Sequence, residues 1–379
     1  MKYTTIKSTT MKYTTMKYTT MKYTTRLALV AALAAGLVAC DSGGDGGSNS
    51  NDPAIGDQST VPGVSNNTGA TNPIVPTDPS TVYPLTGLPI TDAAAAARPA
   101  IVVKIDNDAN ARPQSGLNAA DIVFEQIIES QTRLVAVFHS QGSDPVGPIR
   151  SAREQDVDLV SSLNQPLFVY SGGNPAVTAA VEASDLVDLS ALNESVFSGG
   201  GFYRDDTRVE PFNEYATTSQ LWTLAPQGAG PPPPQFRYLA DGQVAGGYAS
   251  NGVDVYLEGL LVGWRYDAAS GNYLRTADGV AHLDASTAQI STRNVIVMVV
   301  DYPFSVADAR SPIADTIGFG EVWVFSGGNA LQGVWTRSDR LSPIELTGPN
   351  GPIALTPGRT WVELAKVGTF TVGGFAVVP

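Results

Sequence analysis

The sequence has few of the side chains on which most metal and cofactor sites depend. Among its 379 residues there is one cysteine, Cys40, so an intrachain disulfide and a zinc-thiolate cage are excluded. Its two histidines, His139 and His282, leave little for histidine-based metal binding. The chain also lacks a Gly-x-Ser-x-Gly nucleophile elbow, a P-loop and a dinucleotide-binding glycine motif. We therefore predict that the protein uses neither a metal nor a cofactor.

Basic residues are also scarce. The chain has 23 Lys and Arg against 36 Asp and Glu, a formal net charge of −13. A nucleic-acid binder needs a basic surface to neutralise phosphates, so that class of partner is excluded. Six of the basic residues lie in the first 39, and from Cys40 onward 17 remain, which gives −19. Arginines that are grouped in motifs on so acidic a chain are therefore the place to look for a function.

The first 39 residues are typical of a secretion signal. They open with the repeated pentapeptide MKYTT, which begins at Met1, Met11, Met16 and Met21 and has no apolar period. Met21 is a plausible true start, because Lys22 and Arg26 then precede an apolar run over 27–39. That run is shorter than the roughly 20 residues needed to cross a bilayer, and it has the length of a signal-peptide core.

The apolar run ends in Leu-Val-Ala-Cys40, which resembles a bacterial lipobox. We expect cleavage before Cys40 and a lipid on its thiol, so that the partner of this end is the membrane. An ordinary secretory signal followed by a chance cysteine is the alternative. Residues 40–81 are rich in Gly, Ser, Asn and Asp, a composition that favours a disordered tether. The expected location is the outer face of the cell membrane, or the periplasmic face of the inner membrane in a diderm cell.

Two folded segments follow, and the 43% hydrophobic content is enough for a substantial core. In residues 82–226, short β-branched runs predict strands over 100–105, 121–129, 133–139 and 166–170. Apolar residues at helical spacing predict a helix over 151–163. A second helix is predicted over 174–183, with Asn174 as the N-cap and Pro175 in the first turn. This segment is α/β in character.

Residues 227–235 contain four consecutive prolines and are predicted to form a linker. The remaining segment, 236–379, contains strand-like runs separated by Gly, Asn and Pro turns, at 253–257, 261–266, 294–300, 320–325, 333–337 and 360–364. The predicted fold is therefore α+β. A layered α/β sandwich domain at 82–226 is followed by a mainly β domain at 236–379.

Eleven short motifs in a fixed order carry a family resemblance. Six lie in the first segment: YPLTGLP from Tyr83, ARPQSGL from Ala111, ADIVFE from Ala120, GPIRSAR from Gly147, SGG from Ser171 and FYRD from Phe202. The others are YLR at Tyr273, HLD at His282, NVIV at Asn294, WTR at Trp335 and PGRTW at Pro357. The chain thus resembles the YerB-like bacterial lipoproteins, which implies their layered fold and a surface anchor but no known reaction. Where that family commonly has Pro-His-Asn, this chain has Pro211-Phe212-Asn213, so a catalytic histidine is not expected there.

The motif around Arg150 is the leading candidate for a binding site. Arg150 and Arg153, flanking Ser151 at the start of the predicted helix, would lie on one face and bind a carboxylate or phosphate. Alternatively, they pair with Glu125, Glu129 or Glu154 inside the fold. The other residues of these motifs that are predicted to bind a ligand are Arg112, Gln114, Glu125, Ser171, Gly172, Gly173, Arg204 and Asp205.

Two functions of different classes follow from these residues. The first is a non-catalytic envelope lipoprotein that binds a cell-wall polymer or an envelope protein around Arg150 and Arg153. The alternative is an envelope hydrolase that acts on glycan or peptide through Glu125, Glu129 or Asp205, since paired carboxylates perform glycoside hydrolysis. No catalytic residue is assigned, because no nucleophile with an adjacent base is recognisable.

Overall fold

The described part of the chain begins just before the first folded segment. A computed structural model of the protein describes residues 80–305 and 310–373. The predicted signal peptide, Cys40 and nearly all of the predicted tether lie outside these residues.

The first segment contains five short helices and seven strands. The helices are α1 (Ala93–Ala97), α2 (Gln155–Val160), α3 (Pro175–Glu182), α4 (Glu194–Gly199) and α5 (Thr218–Thr223), with 3-10 turns at Ala109–Ala111 and Ser161–Leu163. The strands are β1 (Ile101–Asp106), β2 (Ile122–Ile128), β3 (Gln131–Phe138), β4 (Leu167–Tyr170), β5 (Val187–Ser190), β6 (Tyr203–Arg204) and β7 (Glu214–Tyr215).

Beyond the proline-rich stretch, all regular elements of the described residues are strands. These are β8 (Arg237–Tyr238), β9 (Tyr248–Ala249), β10 (Gly252–Leu257), β11 (Leu260–Asp267), β12 (Asn272–Ala277), β13 (Val280–Ala281), β14 (Ser291–Thr292), β15 (Asn294–Val299), β16 (Gly318–Ser326), β17 (Asn329–Arg337), β18 (Glu345–Gly348), β19 (Gly351–Pro352), β20 (Ala354–Leu355), β21 (Thr360–Ala365) and β22 (Phe370–Val372). The fold is α+β, with a mixed first part and a β-rich second part, as the sequence predicts.

Strands of both segments join one twelve-stranded sheet. Its order is β19-β18-β17-β16-β15-β21-β2-β3-β1-β4-β5, with β9 added to β17. The junction is the parallel pair of β2 and β21, in which Ile122 lies opposite Thr360. A second sheet, β13-β12-β11-β10-β22, also includes β14. The backbone hydrogen bonds of β2 therefore depend on a strand near the other end of the chain.

The large sheet is covered on both faces, and its central strands are buried throughout. All seven residues of β2 and all six of β1 and β21 are buried. One face packs against α2 and α3, through Val157, Val160, Val177 and Val181 among others. The opposite face packs against the smaller sheet, through Val253, Val255, Trp264 and Tyr273. Strands that are buried on both sides read as continuous apolar runs, which is why they are visible in the sequence.

Two helix predictions had different outcomes. The predicted helix at 174–183 is confirmed: α3 begins at Pro175, and Asn174 Oδ1 accepts a hydrogen bond from the backbone N–H of Val177. The predicted helix over 151–163 is wrong in its first four residues, because α2 begins only at Gln155. Residues 150–152 are instead extended and bonded to the sheet, since the N–H of Arg150 donates to the carbonyl of Lys104 and that of Ala152 to Gly172.

Candidate functional site

Charged side chains inside the central strands form two polar groups on opposite faces of the large sheet. Side chains alternate between faces along a strand. Lys104 of β1 and Arg133 of β3 accordingly lie on the helix-covered face, while Glu125 of β2 and Glu363 of β21 lie between the two sheets. All four residues are at most 2% exposed. Because burying a charge is costly unless it is paired, each group must satisfy its charges internally or with a ligand.

The first group, here called the arginine surface, consists of Lys104, Arg133, Arg150 and Arg153 with the carboxylates of Asp106, Glu129 and Asp156. Lys104 Nζ lies 2.7 Å from Asp156 Oδ1, and Arg153 donates to both oxygens of Glu129 at 3.0 and 3.2 Å. Arg133 donates to the carbonyl of Ser151 at 2.9 Å. Burial, reinforced by nearby Arg153, lowers the pKa of Arg133 to about 10.

Arg150 is the member of this surface with unused donors. Its Nε lies 2.6 Å from Asp106 Oδ2, and its side chain is 23% exposed. In the part of the chain that the structure describes, its two terminal amino groups make no hydrogen bond. Its guanidinium carbon lies 6.0 Å from the centre of the ring of Phe212, the residue that replaces the histidine common in the resembled family.

The structure combines the two interpretations of the arginine motif. Internal pairing is correct for Arg153 with Glu129 and, with a different partner, for Arg150 with Asp106. Glu154 instead accepts a hydrogen bond from Ser305. The expectation that a helix N-terminus supports both arginines is wrong, because the motif is extended and precedes α2. Arg150 nevertheless keeps a guanidinium edge that a carboxylate or phosphate could bind.

Three of the predicted ligand-binding residues, Ser171, Gly172 and Gly173, lie beside the arginine motif and are here called the glycine loop. The N–H of Ser171 donates to the carbonyl of Arg150, and the carbonyl of Gly172 accepts from Ala152. Gly172 has φ +134, and a Cβ there would lie 3.0 Å from the Leu192 side chain. Ser171, Gly172 and Gly173 therefore border the arginine surface, at the carboxyl end of β4, where ligands commonly bind in α/β sheets.

The second group, here called the buried network, is centred on Glu125 and Arg275. Arg275 donates to Glu125 Oε2 at 2.7 Å, and both side chains are fully buried. The other oxygen of Glu125 accepts from Asn107 and Thr132, each at 2.8 Å. This ion pair links β2 of the large sheet to β12 of the smaller one, so it joins the two sequence segments.

Gln114 and Arg112 extend the buried network. The terminal amino group of Arg275 that faces away from Glu125 contacts His282 Nδ1, and His282 Nε2 lies 2.7 Å from Gln114 Oε1. Burial, with the charges of Arg275 and Arg112, lowers the pKa of His282, so the ring is neutral and Nε2 carries the proton. Arg112 donates to the carbonyl of Asn107 at 3.1 Å. Gln114 and Glu125 are thus buried inside the fold, whereas Arg112 is partly exposed.

Two glutamates face each other at the centre of this network. Glu125 of β2 lies opposite Glu363 of β21 in the parallel pair. Trp264 Nε1 donates to Glu363 Oε1 at 2.7 Å, and the Arg275 guanidinium lies 5.1 Å from the centre of the Trp361 ring. Burial, followed by the charge of Glu125, raises the pKa of Glu363 well above its usual range. The protonated form of Glu363 is therefore favoured, which avoids two like charges in the interior.

Arg204 and Asp205 lie apart from these two groups, on the β6–β7 hairpin. Arg204 pairs with Glu214 at 3.0 Å and Glu210 at 3.2 Å. Asp205 is partly exposed, and hydrogen bonds from Thr207 lower its pKa. The structure thus brings Arg150, Ser151, Arg153 and the glycine loop together, but places Arg112, Gln114 and Glu125 elsewhere.

The carboxylates considered for hydrolysis do not form a pair. Glu125 lies between the sheets with both oxygens bonded, whereas Glu129 lies at the arginine surface and also accepts from Ser311 at 2.8 Å. Asp205 is on the hairpin. The three carboxylates therefore lie in three different parts of the fold.

Several members of both groups are absent from the sequence-based site. Asp106, Arg133 and Lys104 belong to the arginine surface, and Arg275, His282 and Glu363 to the buried network. A detectable signal exists for Lys104 and Glu363, because each interrupts an otherwise apolar strand run. Their partners are not detectable in this way, since the Glu125–Arg275 pair spans 150 positions.

Comparisons with known proteins agree with this architecture. Residues 85–230 match the N-terminal domain of a family described as protein of unknown function (DUF3048), and residues 253–362 match its C-terminal domain. The chain belongs to the DUF3048 family. Its relative YerB of Bacillus subtilis (strain 168), named a candidate lipoprotein, is 31% identical over 291 residues, which are 74% of this chain and 85% of YerB.

A solved structure of a DUF3048 protein has the same fold. The crystal structure of Bacillus subtilis YerB matches with a TM-score of 0.67 at 26% identity, and covers 77% of this chain and 99% of its own. The YerB-like resemblance predicted from the motifs is confirmed. The name of that relative indicates a lipoprotein, and the family description assigns no reaction. Among residues 80–305 and 310–373, no helix has the length and apolarity to cross a bilayer.

Proposed function

We propose that the protein is an envelope lipoprotein, anchored by a lipid on Cys40 to the outer face of the cell membrane. Its folded part binds a cell-wall component or an envelope protein at the arginine surface and catalyses no reaction. The similarity to YerB, the lipobox-like end of the apolar run and the polar tether over 40–81 support the anchor.

One observation carries the binding proposal. Arg150 is held in place by Asp106 on a partly exposed side chain, and its two terminal amino groups make no hydrogen bond among the described residues. A positioned guanidinium with free donors is suited to a planar bidentate contact with a ligand, and the cost of ordering the side chain is already met. The backbone of the neighbouring glycine loop also lies close to Arg150, because the N–H of Ser171 donates to the carbonyl of Arg150.

A cross-linking pull-down from intact envelopes tests this proposal. The full chain is compared with Arg150→Ala and with Arg150→Ala/Arg153→Ala. Arg340→Ala is the matched control, since Arg340 is similarly exposed and paired with Asp185 at 2.9 Å. We expect loss of a specific partner or wall ligand in the two site variants and its retention in the control. Retention of every partner and ligand by the double variant would falsify the proposal.

The anchor has an independent test. In Cys40→Ala the thiol that accepts the lipid is absent, so the protein should leave the membrane fraction and appear in the medium or periplasm. Metabolic labelling with a fatty acid should mark the wild type only. Membrane retention of an unlabelled variant would contradict lipidation at this residue.

A further inference from the structure

A second set of side chains lies next to Arg150, on the strand that follows Phe212. Glu214 of β7 is buried, and its Oε2 pairs with Arg204 at 3.0 Å. Its Oε1 is enclosed and has no hydrogen-bond partner in the part of the chain that the structure describes. A buried carboxylate oxygen without a partner is rare in folded proteins and calls for an explanation, such as an unfilled ligand contact. Burial raises the pKa of Glu214, in keeping with an unsatisfied acid.

Donors, acceptor and aromatic ring lie within a short distance of one another. Arg150 supplies two free amino groups, and Phe212, half-exposed, presents its ring 6.0 Å from that guanidinium. The backbone N–H of Ile149 donates to the carbonyl of Glu214 at 2.7 Å, which fixes the strand of Glu214 against the arginine motif. Arg204, whose side chain is 49% exposed, pairs with Glu214 Oε2 at 3.0 Å.

This strip has no excess of positive charge. Its two arginines face three carboxylates, because Arg150 is paired with Asp106, and Arg204 with Glu214 and Glu210. An anion recognised chiefly by its net charge would need an excess of positive charge. A ligand that offers both donors and acceptors, together with an apolar face for the ring, suits the strip better.

We propose that Arg150, Phe212 and Glu214 form a saccharide-binding site. A sugar has an apolar C–H face that packs on an aromatic ring, and adjacent hydroxyls that each donate and accept. In this site the C–H face packs on Phe212, and the Arg150 amino groups donate to hydroxyl or acyl oxygens. Glu214 Oε1, which is enclosed in the structure, turns outward to accept from a hydroxyl. The inference rests on the proposed function and narrows the ligand from an envelope component to a glycan.

Binding of defined saccharides to the purified full chain tests the site. The probes are tetra-N-acetylchitotetraose and the N-acetylglucosamine–N-acetylmuramic acid disaccharide, with glycerol phosphate as an anion that has no ring. Calorimetry and saturation-transfer NMR measure the binding. We expect both saccharides to bind and the affinity of the uncharged chitotetraose to change little with salt, because it carries no charge that salt could screen.

Substitutions test the contributions of the Phe212 ring and of the Arg150 guanidinium separately. Phe212→Ala and Arg150→Ala should each weaken saccharide binding about tenfold or more, since each removes a main contact. Phe212→Tyr keeps a planar ring and should retain binding within about threefold, and Arg340→Ala should match the wild type. Equal melting temperatures identify the effect as local. Since Glu214→Gln keeps the shape of the side chain, it gives a second test of the acceptor.

The outcomes distinguish this inference from the function on which it rests. Saccharide binding that is absent, or that is unchanged in Phe212→Ala, overturns the saccharide site. If glycerol phosphate binds and the saccharides do not, the ligand is an anion and the arginine surface remains a binding site. If the envelope pull-down also shows no dependence on Arg150, both proposals fail.

Discussion

At the scale of single residues, the charged side chains of the two groups have different roles. In the buried network, Glu125 and Arg275 satisfy each other and leave no exposed edge. At the arginine surface, Arg150 is paired on one side and open on the other. The same residue type is therefore structural at position 275 and available for binding at position 150, which the sequence motifs do not distinguish.

Loss of Arg275 is expected to be severe. Arg275→Met leaves the buried Glu125 carboxylate without its countercharge and His282 without its donor, so we expect a loss of about 3–5 kcal/mol in unfolding free energy. Urea titration measures it. The matched control is Arg265→Met on the same sheet, because Arg265 is 47% exposed and pairs with Asp254. That exposed pair should contribute under about 1 kcal/mol, and equal losses in the two variants would contradict the role assigned to the network.

The protonated Glu363 gives a pH dependence of known sign. Its folded pKa is raised above the usual 4.5, so the unfolded chain loses its proton first and stability falls as pH rises above about 4.5. Glu363→Gln cannot ionise and keeps an acceptor for Trp264. We expect the variant to match the wild type near pH 4 and to gain on it as pH rises, by at most about 1.4 kcal/mol per pH unit. Urea titrations at several pH values measure this gain, and a difference that is independent of pH would refute the protonation state.

The strands can be predicted from the sequence, whereas most contacts that their residues make with distant parts of the chain cannot. Runs such as 100–105 and 360–364 are readable because a strand buried on both faces is continuously apolar. The helical spacing of Ala152, Val157 and Val160 predicts a helix that begins at residue 151, whereas residues 151 and 152 lie outside any helix. Tertiary hydrogen bonds, from Arg150 to β1 and from Ala152 to the glycine loop, override that local pattern. The pairing of Arg275 with Glu125 has no local signal at all.

At the scale of elements, the β10–β11 hairpin positions Trp264 and hence Glu363. Gly252 begins β10 with φ +135, and a Cβ there would lie 1.9 Å from the carbonyl oxygen of Trp264. Only glycine allows the two strands to approach at this point. The register that places Trp264 between the sheets therefore depends on one residue without a side chain.

Gly252→Ala should displace this hairpin. The added methyl meets the backbone of the partner strand, and we expect a loss of stability of at least about 1–3 kcal/mol with a changed near-UV signal from Trp264. Gly259→Ala is the control, because Gly259 also has positive φ, at +90, but nothing lies within 4 Å of its Cβ position. Melting temperature and near-UV circular dichroism report the difference. A Gly252→Ala variant no less stable than the control would show that the strands can adjust.

At the scale of the molecule, the two family domains share a sheet. The pair of β2 and β21 joins them by backbone hydrogen bonds, and the Glu125–Arg275 pair joins the large and small sheets. Apolar contacts add to this junction, because the core between the sheets contains residues of both segments. The boundary that the proline-rich stretch indicates in the sequence is thus not a boundary of the sheet.

We therefore expect the folded part to unfold in one cooperative transition. In urea, tryptophan fluorescence reports chiefly on the second segment, which contains Trp264, Trp323, Trp335 and Trp361. Far-UV circular dichroism reports on both segments. The two midpoints should coincide, as in two-state unfolding. Separate midpoints would mean that the segments unfold independently in spite of their common sheet.

The order of the strands in the large sheet also determines when, during synthesis of the chain, each strand can pair. The ribosome completes β2 long before it reaches β21, at residues 360–365. Until then β2 has β3 on one side and an open edge on the other, and the buried face that carries Glu125 lacks both Arg275 and its covering sheet. Contacts between residues so distant in sequence fold slowly. The nascent first half is thus held in an unfinished state until nearly the whole chain has been synthesised.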